Sequence, residues 1–161
     1  MIFKKTILLL ISTMIIFCNQ ATCNKNESLD ASQKAIHFIK ATTKVEPMIF
    51  ECTAYDLSWQ SCQKAPNDPW FGITADGTSL VDKSREEAMA IAVDPKVIPL
   101  GSKVLIVFDG HRNKYTGIYK AVDTGGDIKG NRIDVYFGDF KEKVSKEAMQ
   151  FGRINAKVYI L

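Results

Sequence analysis

The pattern of apolar and polar positions changes character near residue 49. Ahead of that point, Lys4 and Lys5 precede an apolar run from Ile7 to Phe17 broken only by Ser12 and Thr13, and polar residues follow at once. A basic start before an apolar stretch of roughly 7–15 residues predicts an export signal, since a membrane span needs about 20. The expected signal covers residues 1–23, with Ala21 and Cys23 as small residues near the cut. A lipid anchor fits poorly, because Phe17 precedes Cys18 and Thr22 precedes Cys23. Residues 24–48 are polar, with one weakly amphipathic patch (Ala35, Ile36, Phe38, Ile39) that allows a short helix. They read as a linker ending at Glu46-Pro47.

From Ile49 onward, short β-type runs alternate with turn residues. Strands are predicted at 49–55, 72–75, 89–93, 103–108, 114–122, 132–137 and 156–161. Lys103-Val-Leu-Ile-Val-Phe108 is almost continuously apolar, as expected of a strand buried on both faces. Arg132 to Phe137 alternates instead, with Ile133, Val135 and Phe137 on one face and Arg132, Asp134 and Tyr136 on the other. One helix is predicted at 143–151 with Gly152 as its stop, and Ser84-Arg-Glu-Glu87 resembles a capping box. Six or seven short strands and one or two short helices over residues 49–161 predict a mainly β fold, a small barrel.

Composition narrows the function classes. The chain has 161 residues, 46% hydrophobic and 24% charged, with a formal net charge of +3. Without Lys4 and Lys5 the balance is 19 basic against 18 acidic residues, which is no footprint for nucleic acid. Of the four cysteines, Cys52 and Cys62 lie in the mature chain. Ten residues apart in an exported protein, they predict a disulfide closing a short loop, worth about 2–3 kcal/mol by chain entropy. The alternative is a Cys nucleophile paired with His111, which needs a reduced thiol. His37 and His111 are isolated, and no zinc or EF-hand spacing is present, so neither metal nor cofactor is expected.

Thr124-Gly-Gly-Asp-Ile-Lys-Gly130 spaces two glycines as a phosphate loop does. Asn131 and Arg132 stand where such a loop needs Lys and Ser/Thr, and the segment joins two strands rather than opening a helix. It reads as a turn-rich connection, with Lys129 and Arg132 as candidate substrate contacts. No G-x-S-x-G is present. Three aspartates are the most informative residues. Asp94 and Asp123 end strong β runs, where turn chemistry accounts for them. Asp134 sits in mid-strand between Ile133 and Val135, a poor place for Asp. A salt bridge to Arg132 is the remaining structural explanation for it.

At these residues the chain resembles a known family. The segments are Ala92-Val-Asp-Pro-Lys-Val-Ile-Pro-Leu-Gly101, Ala121-Val-Asp-Thr-Gly-Gly126, Ile128-Lys-Gly-Asn-Arg-Ile-Asp-Val-Tyr136, Glu147-Ala148 and Phe151-Gly152-Arg153. They are similar to the 3D domain, named for its three aspartates and related to the membrane-bound lytic transglycosylase A catalytic domain and to stationary-phase resuscitation factors. The resemblance spans about residues 50–161 and implies a double-psi β-barrel acting on peptidoglycan. Asp94, Asp123 and Asp134 match the three aspartates. The resemblance implies Asp134 as the acid/base and Asp123 as its support. Thr74, Lys129, Arg132 and Tyr136 join them as candidate substrate-binding residues. Asp127 replaces a usual small apolar residue, and Ile73-Thr-Ala-Asp-Gly77 departs from the usual Thr-Ala-Ser-Gly. Trp59, Trp70 and Phe71 are placed either to stack on sugars or to cover the barrel end.

The expected function is therefore a secreted lytic transglycosylase working on peptidoglycan glycan strands at the cell wall. Such an acid must hold its proton near neutral pH, which burial and neighbouring carboxylates favour and Arg132 and Lys129 oppose. A hydrolase of the same bond and a non-catalytic glycan-binding module are the competing readings. A monomer with no stable membrane association after signal cleavage is the default.

Overall fold

Strict alternation in Arg132–Tyr136 and near-continuous apolarity in Lys103–Val107 are the two signatures of strands that wrap one core. A computed structural model describes Lys34 and residues 46–140 and 143–161. The expected signal and most of the expected linker, with the amphipathic patch and His37, lie outside the described residues.

Six strands close a barrel within the compact unit Pro47–Ile160. They are β1 (Met48–Tyr55), β2 (Ala90–Val93), β3 (Lys103–Val107), β4 (Gly117–Asp123), β5 (Arg132–Tyr136) and β6 (Ile154–Ile160). Their order around the barrel is β1-β5-β2-β4-β3-β6. The β1/β5 and β2/β4 pairs are parallel and the other four antiparallel. Among the described residues of this unit, three short α-helices accompany the barrel: α1 (Trp59–Cys62), α2 (Arg85–Ala88) and α3 (Lys146–Phe151). This is the expected mainly β, double-psi barrel, with six strands.

The expected strand at 72–75 is reduced to a single bridge, Ile73 to Ser79. Gly72 at φ 66° starts a turn there, and Asp76 then closes it by accepting from the Thr78 amide. The expected 114–122 strand begins only at Gly117, because Gly110–Tyr115 forms a 3-10 helix. The last helix starts at Lys146, where the Ser145 side chain accepts from the Glu147 and Ala148 amides, and Gly152 ends it. The Ser84 capping box is complete in both directions and opens α2.

Inward residues from every strand make the main core, including Phe50, Ile91, Val93, Val104, Ile106, Ile133, Val135 and Val158. One barrel end is sealed by aromatic rings. Phe108, Tyr115, Phe137 and Phe151 pack edge-on or tilted at centroid separations of 5.1–5.5 Å, a geometry that adds about 0.5–1.5 kcal/mol per pair to area burial. The opposite end gathers the close of β2, the close of β4 and the start of β5. There the 94–101 turn lays Ile98 over the core.

The long connection from β1 to β2 arches over the outer face of the sheet. Leu57, Phe71 and Leu80 form a second apolar cluster with Ala90, Val122 and Tyr136. Buried Asp56 holds this connection to the start of α3, accepting from the Ser58 amide and hydroxyl and from the Ser145 amide at 2.8 Å.

The expected Cys52–Cys62 disulfide is not formed: both thiols are free. Cys52 points inward from β1 into the barrel core, whereas Cys62 ends α1 and packs with the outer cluster. The two side chains pack in different apolar clusters, one inside the barrel and one outside it. Burial pushes the Cys52 thiol up to about 12, with Asp134 and Glu51 adding to the shift, so it is an inert core residue rather than a nucleophile.

Candidate active site

The outward face of the parallel β1/β5 pair carries the chemistry. Register sets Glu51 against Arg132, Thr53 against Asp134 and Tyr55 against Tyr136. Each pair makes a different contact. Arg132 Nε pairs with Glu51 Oε1 at 2.9 Å, and Thr53 Oγ1 donates to Asp134 Oδ1 at 2.8 Å. The Tyr55 and Tyr136 rings lie 5.5 Å apart. Alternation on two strands in register thus brings an ion pair, a carboxyl–hydroxyl pair and an aromatic pair into one row.

Asp134 is half-buried in mid-strand, and its pKa is raised from 3.8 to about 6. Desolvation is the largest cause and the Asp123 charge adds to it. The Thr53 hydrogen bond and the Arg132 charge pull the other way. Arg132 is also bound by the Asp127 carbonyl at 2.8 Å and by Glu51. The strand position that made Asp134 unusual in the sequence is the source of the desolvation that shifts it.

Asp123 reaches the same face through an irregularity. Ala92 on β2 is the register partner of both Asp134 and Asp123, and the β2/β4 register shifts between Ile91 and Ala92. On a regular strand Asp123 would point inward like Ala121, which is in the core. The bulge turns Val122 and Asp123 outward together. Asp134, Ala92 and Asp123 then lie in line across three strands, with only a methyl group between the two acids. Two strand spacings put their Cα atoms about 10 Å apart. Asp123 Oδ1 accepts from the Ala75 amide at 3.0 Å and the Thr124 amide at 2.9 Å.

Asp94 has a different task. Its Oδ1 accepts from the Lys96 amide and its Oδ2 from the Gly130 amide at 2.8 Å. The bonds from Gly130 and Lys96 hold its pKa below the usual range, so it stays a carboxylate. It ties the β2 turn to the 124–131 connection, where Gly130 adopts φ 61°. In the same connection, a Cβ on Gly125 would come within 2.6 Å of Ile128, which is buried beneath it. The turn-rich reading of this segment is what the backbone shows.

The candidate substrate contacts divide. Arg132 and Lys129 lie at the barrel end where β5 starts, Arg132 partly covered and Lys129 exposed with its ammonium 3.4 Å from the Gly125 carbonyl. Asp127 is exposed beside them. Thr74 is buried, its hydroxyl 2.9 Å from Asp76 Oδ1 and 3.0 Å from the Thr78 carbonyl. Tyr136 is fully buried, with its hydroxyl 2.9 Å from the Leu80 carbonyl and 3.0 Å from that of Lys83. Thr74 and Tyr136 therefore anchor the arching connection instead of facing a ligand. Of the loop aromatics, Phe71 covers the barrel at 6% exposure, while Trp59 and Trp70 stand out at 59% and 64%.

Thr53 and Tyr55 were missed in the sequence. Their alternation with Phe50, Cys52 and Ala54 marks them as outward residues, but the register that sets them beside Asp134 and Tyr136 has no local sequence signal.

Residues 89–161 match the family model described as the 3D domain. That stretch holds all three aspartates. Residues 89–161 are a 3D domain. The 3D domain supplies five of the six strands, and β1 completes the barrel from outside the matched stretch. Among curated relatives, a Bacillus subtilis (strain 168) protein named "Putative cell wall shaping protein YabE" is 43% identical over 122 residues, 76% of this chain and 24% of its own. "Cell wall-binding protein YocH" of the same organism is 51% identical over 65 residues, 40% of this chain and 20% of its own. The chain thus spans about a quarter or less of these relatives' length. Among solved structures, MltA from Neisseria gonorrhoeae is similar at TM-score 0.43 and 25% identity, covering 55% of this chain and 21% of that one. The lytic transglycosylase LtgG of Burkholderia pseudomallei gives TM-score 0.41 and 26% identity, covering 55% and 25%.

Proposed function

We propose that the protein is a secreted peptidoglycan lytic transglycosylase, with Asp134 as its single acid/base. The observation that carries this reading is the Asp134 carboxyl, held half-buried on β5 by Thr53 with its pKa raised to about 6. A carboxylic acid in that state keeps a usable share of its protons near neutral pH, which general acid catalysis requires.

The reaction needs one such group. Asp134 gives its proton to the oxygen bridging MurNAc and GlcNAc as the bond from that oxygen to the MurNAc anomeric carbon breaks, and the bonding pair leaves with the oxygen. The resulting carboxylate then takes the proton from the MurNAc C6 hydroxyl as this oxygen bonds to the anomeric carbon. The product carries a 1,6-anhydro ring, no water is consumed, and Asp134 regains its proton. Asp123 acts through its charge, which favours the protonated form of Asp134.

A hydrolase would need a second carboxylate to activate water. Asp123 is the candidate, but its Oδ1 already accepts two backbone amides, which favours a supporting role. Arg132 beside the acid and exposed Lys129 in the connection before β5 suit the anionic groups of peptidoglycan. The names of the cell-wall relatives support a place at the wall.

Mass spectrometry of the soluble products from purified peptidoglycan tests this, beside the Asp134→Asn variant. Anhydro-muropeptides from the native protein and none from the variant are expected. Reducing-end products would establish the hydrolase. Binding without release by either protein would leave a glycan-binding module.

A further inference from the structure

Tyr55 closes β1 on the same outward face as Thr53, two residues further along the strand. Its ring packs against Tyr136 and the outer cluster. Its hydroxyl is buried and makes no hydrogen bond among the described residues. A buried phenol O–H without an acceptor is unusual, because its desolvation is then uncompensated. Thr53 and its register partner Asp134 lie two residues back on the same outward face. Burial first, then the charges of Asp123 and Asp134, drive the Tyr55 pKa well above its usual value. The phenol therefore keeps its proton, and toward a carboxylate it can act only as a donor.

We propose that Tyr55 is a positioning residue of the aspartate pair, its hydroxyl held in reserve to donate to the Asp134 carboxylate formed when the acid gives up its proton. The proposal rests on the acid/base reading of Asp134. In the protonated acid Thr53 occupies Oδ1, and the carboxyl's own proton is carried by its other oxygen. Once that proton has moved to the leaving oxygen, a second carboxylate oxygen becomes an acceptor within a poorly solvated site. Tyr55 then has a partner it lacked before. Its O–H bond stays intact throughout, so the proton balance of the reaction is unchanged. The bond exists only with the charged form, so it lowers the barrier to proton release without weakening the acid's resting burial.

The charged and titratable groups facing Asp134 are Arg132 on its own strand, Asp123 from β4, and Cys52 and Tyr55 from β1. β2 contributes only Ala92 at this register. Of the β1 pair, Cys52 is on the inward face. Tyr55 is thus the uncharged donor not already committed elsewhere.

The test is a carboxyl 13C NMR titration of Asp134 in the full chain, native and Tyr55→Phe, with the thermal midpoint of each checked. Loss of a donor that serves only the carboxylate should raise the Asp134 pKa by about one unit, a tenfold change in its ionisation at fixed pH. Peptidoglycan turnover should fall about tenfold in kcat with KM little changed, and the alkaline limb of its pH profile should move upward with the titration. Should Tyr55→Phe fold poorly, 3-fluorotyrosine at position 55 keeps the shape and strengthens the donor, and the Asp134 pKa should then fall. A native-like titration in a well-folded Tyr55→Phe protein, or no shift with 3-fluorotyrosine, would overturn the proposal. The titration needs no turnover. If the native protein releases no anhydro product, the acid/base reading fails by that measurement while the role of Tyr55 at Asp134 is still decided by NMR.

Discussion

Thr53 Oγ1 donates to Asp134 Oδ1 at 2.8 Å across the parallel β1/β5 pair, and this bond works against the burial that makes Asp134 an acid. A hydrogen bond to a charged group contributes about 1.5–3 kcal/mol. Its loss in Thr53→Val, which keeps the β-branched shape, should therefore raise the Asp134 pKa from about 6 by about one unit or more. The falling limb of the pH–activity profile should move upward by the same amount. A limb that stays in place would show that Thr53 positions the carboxyl without tuning it.

The same shift has a sign in stability. Asp134 titrates higher in the folded protein than in the unfolded chain, so folding favours its protonated form. Its ionisation costs nothing below about pH 4. The cost grows as pH rises from there and is complete above the folded value of about 6. A shift of this size corresponds to about 2–3 kcal/mol, less what residual solvent contact screens. Asp134→Asn removes the ionisation and keeps the shape. It should be more stable than the native protein at pH 8 and lose that advantage at pH 4, as read by urea midpoints at both. An advantage independent of pH would mean that Asp134 is not desolvated.

How far the sequence carried this reading differs by residue. Ile133, Val135 and Phe137 lie on the inward face as their alternation requires, and Ser84 caps α2 as its spacing to Glu87 requires. Asp134 could be singled out because a carboxylate in mid-strand conflicts with local propensity. Tyr136 shared that alternation, yet its fate was set by a connection some fifty residues earlier in the chain, whose carbonyls take its hydroxyl. Asp123 was legible as a residue but not as an outward one, because a β-bulge is decided by pairing between strands. The spacing of Cys52 and Cys62 allowed a bridge, but the two thiols pack in separate clusters inside and outside the barrel, a placement that spacing alone does not reveal.

Tyr136 separates structure from catalysis on one strand. Its hydroxyl lies between the carbonyls of Leu80 and Lys83 in a fully buried position. Tyr136→Phe keeps the ring against Tyr55 and leaves those acceptors short of a donor. It should lower stability by about 1–3 kcal/mol and leave the Asp134 titration where it is. Denaturant unfolding and the carboxyl titration measure the two effects independently. A shifted Asp134 with native stability would return Tyr136 to the site.

The free thiols give the last prediction. Cys52 is buried in the barrel core at register with Ile133, and Cys62 packs outside the sheet after α1. With no covalent bond between them, a reductant should leave the thermal midpoint of the purified protein unchanged. Intact mass should show two more protons in this segment than a disulfide would allow. Cys52→Ala removes a core atom and should cost about 1–3 kcal/mol through the cavity left behind. Cys62→Ala should cost less, since that side chain is only partly buried. A disulfide would make the two substitutions nearly equal in cost, because either one breaks the same bond. The ratio of the two losses therefore decides between packing and cross-linking even if oxidation varies between preparations.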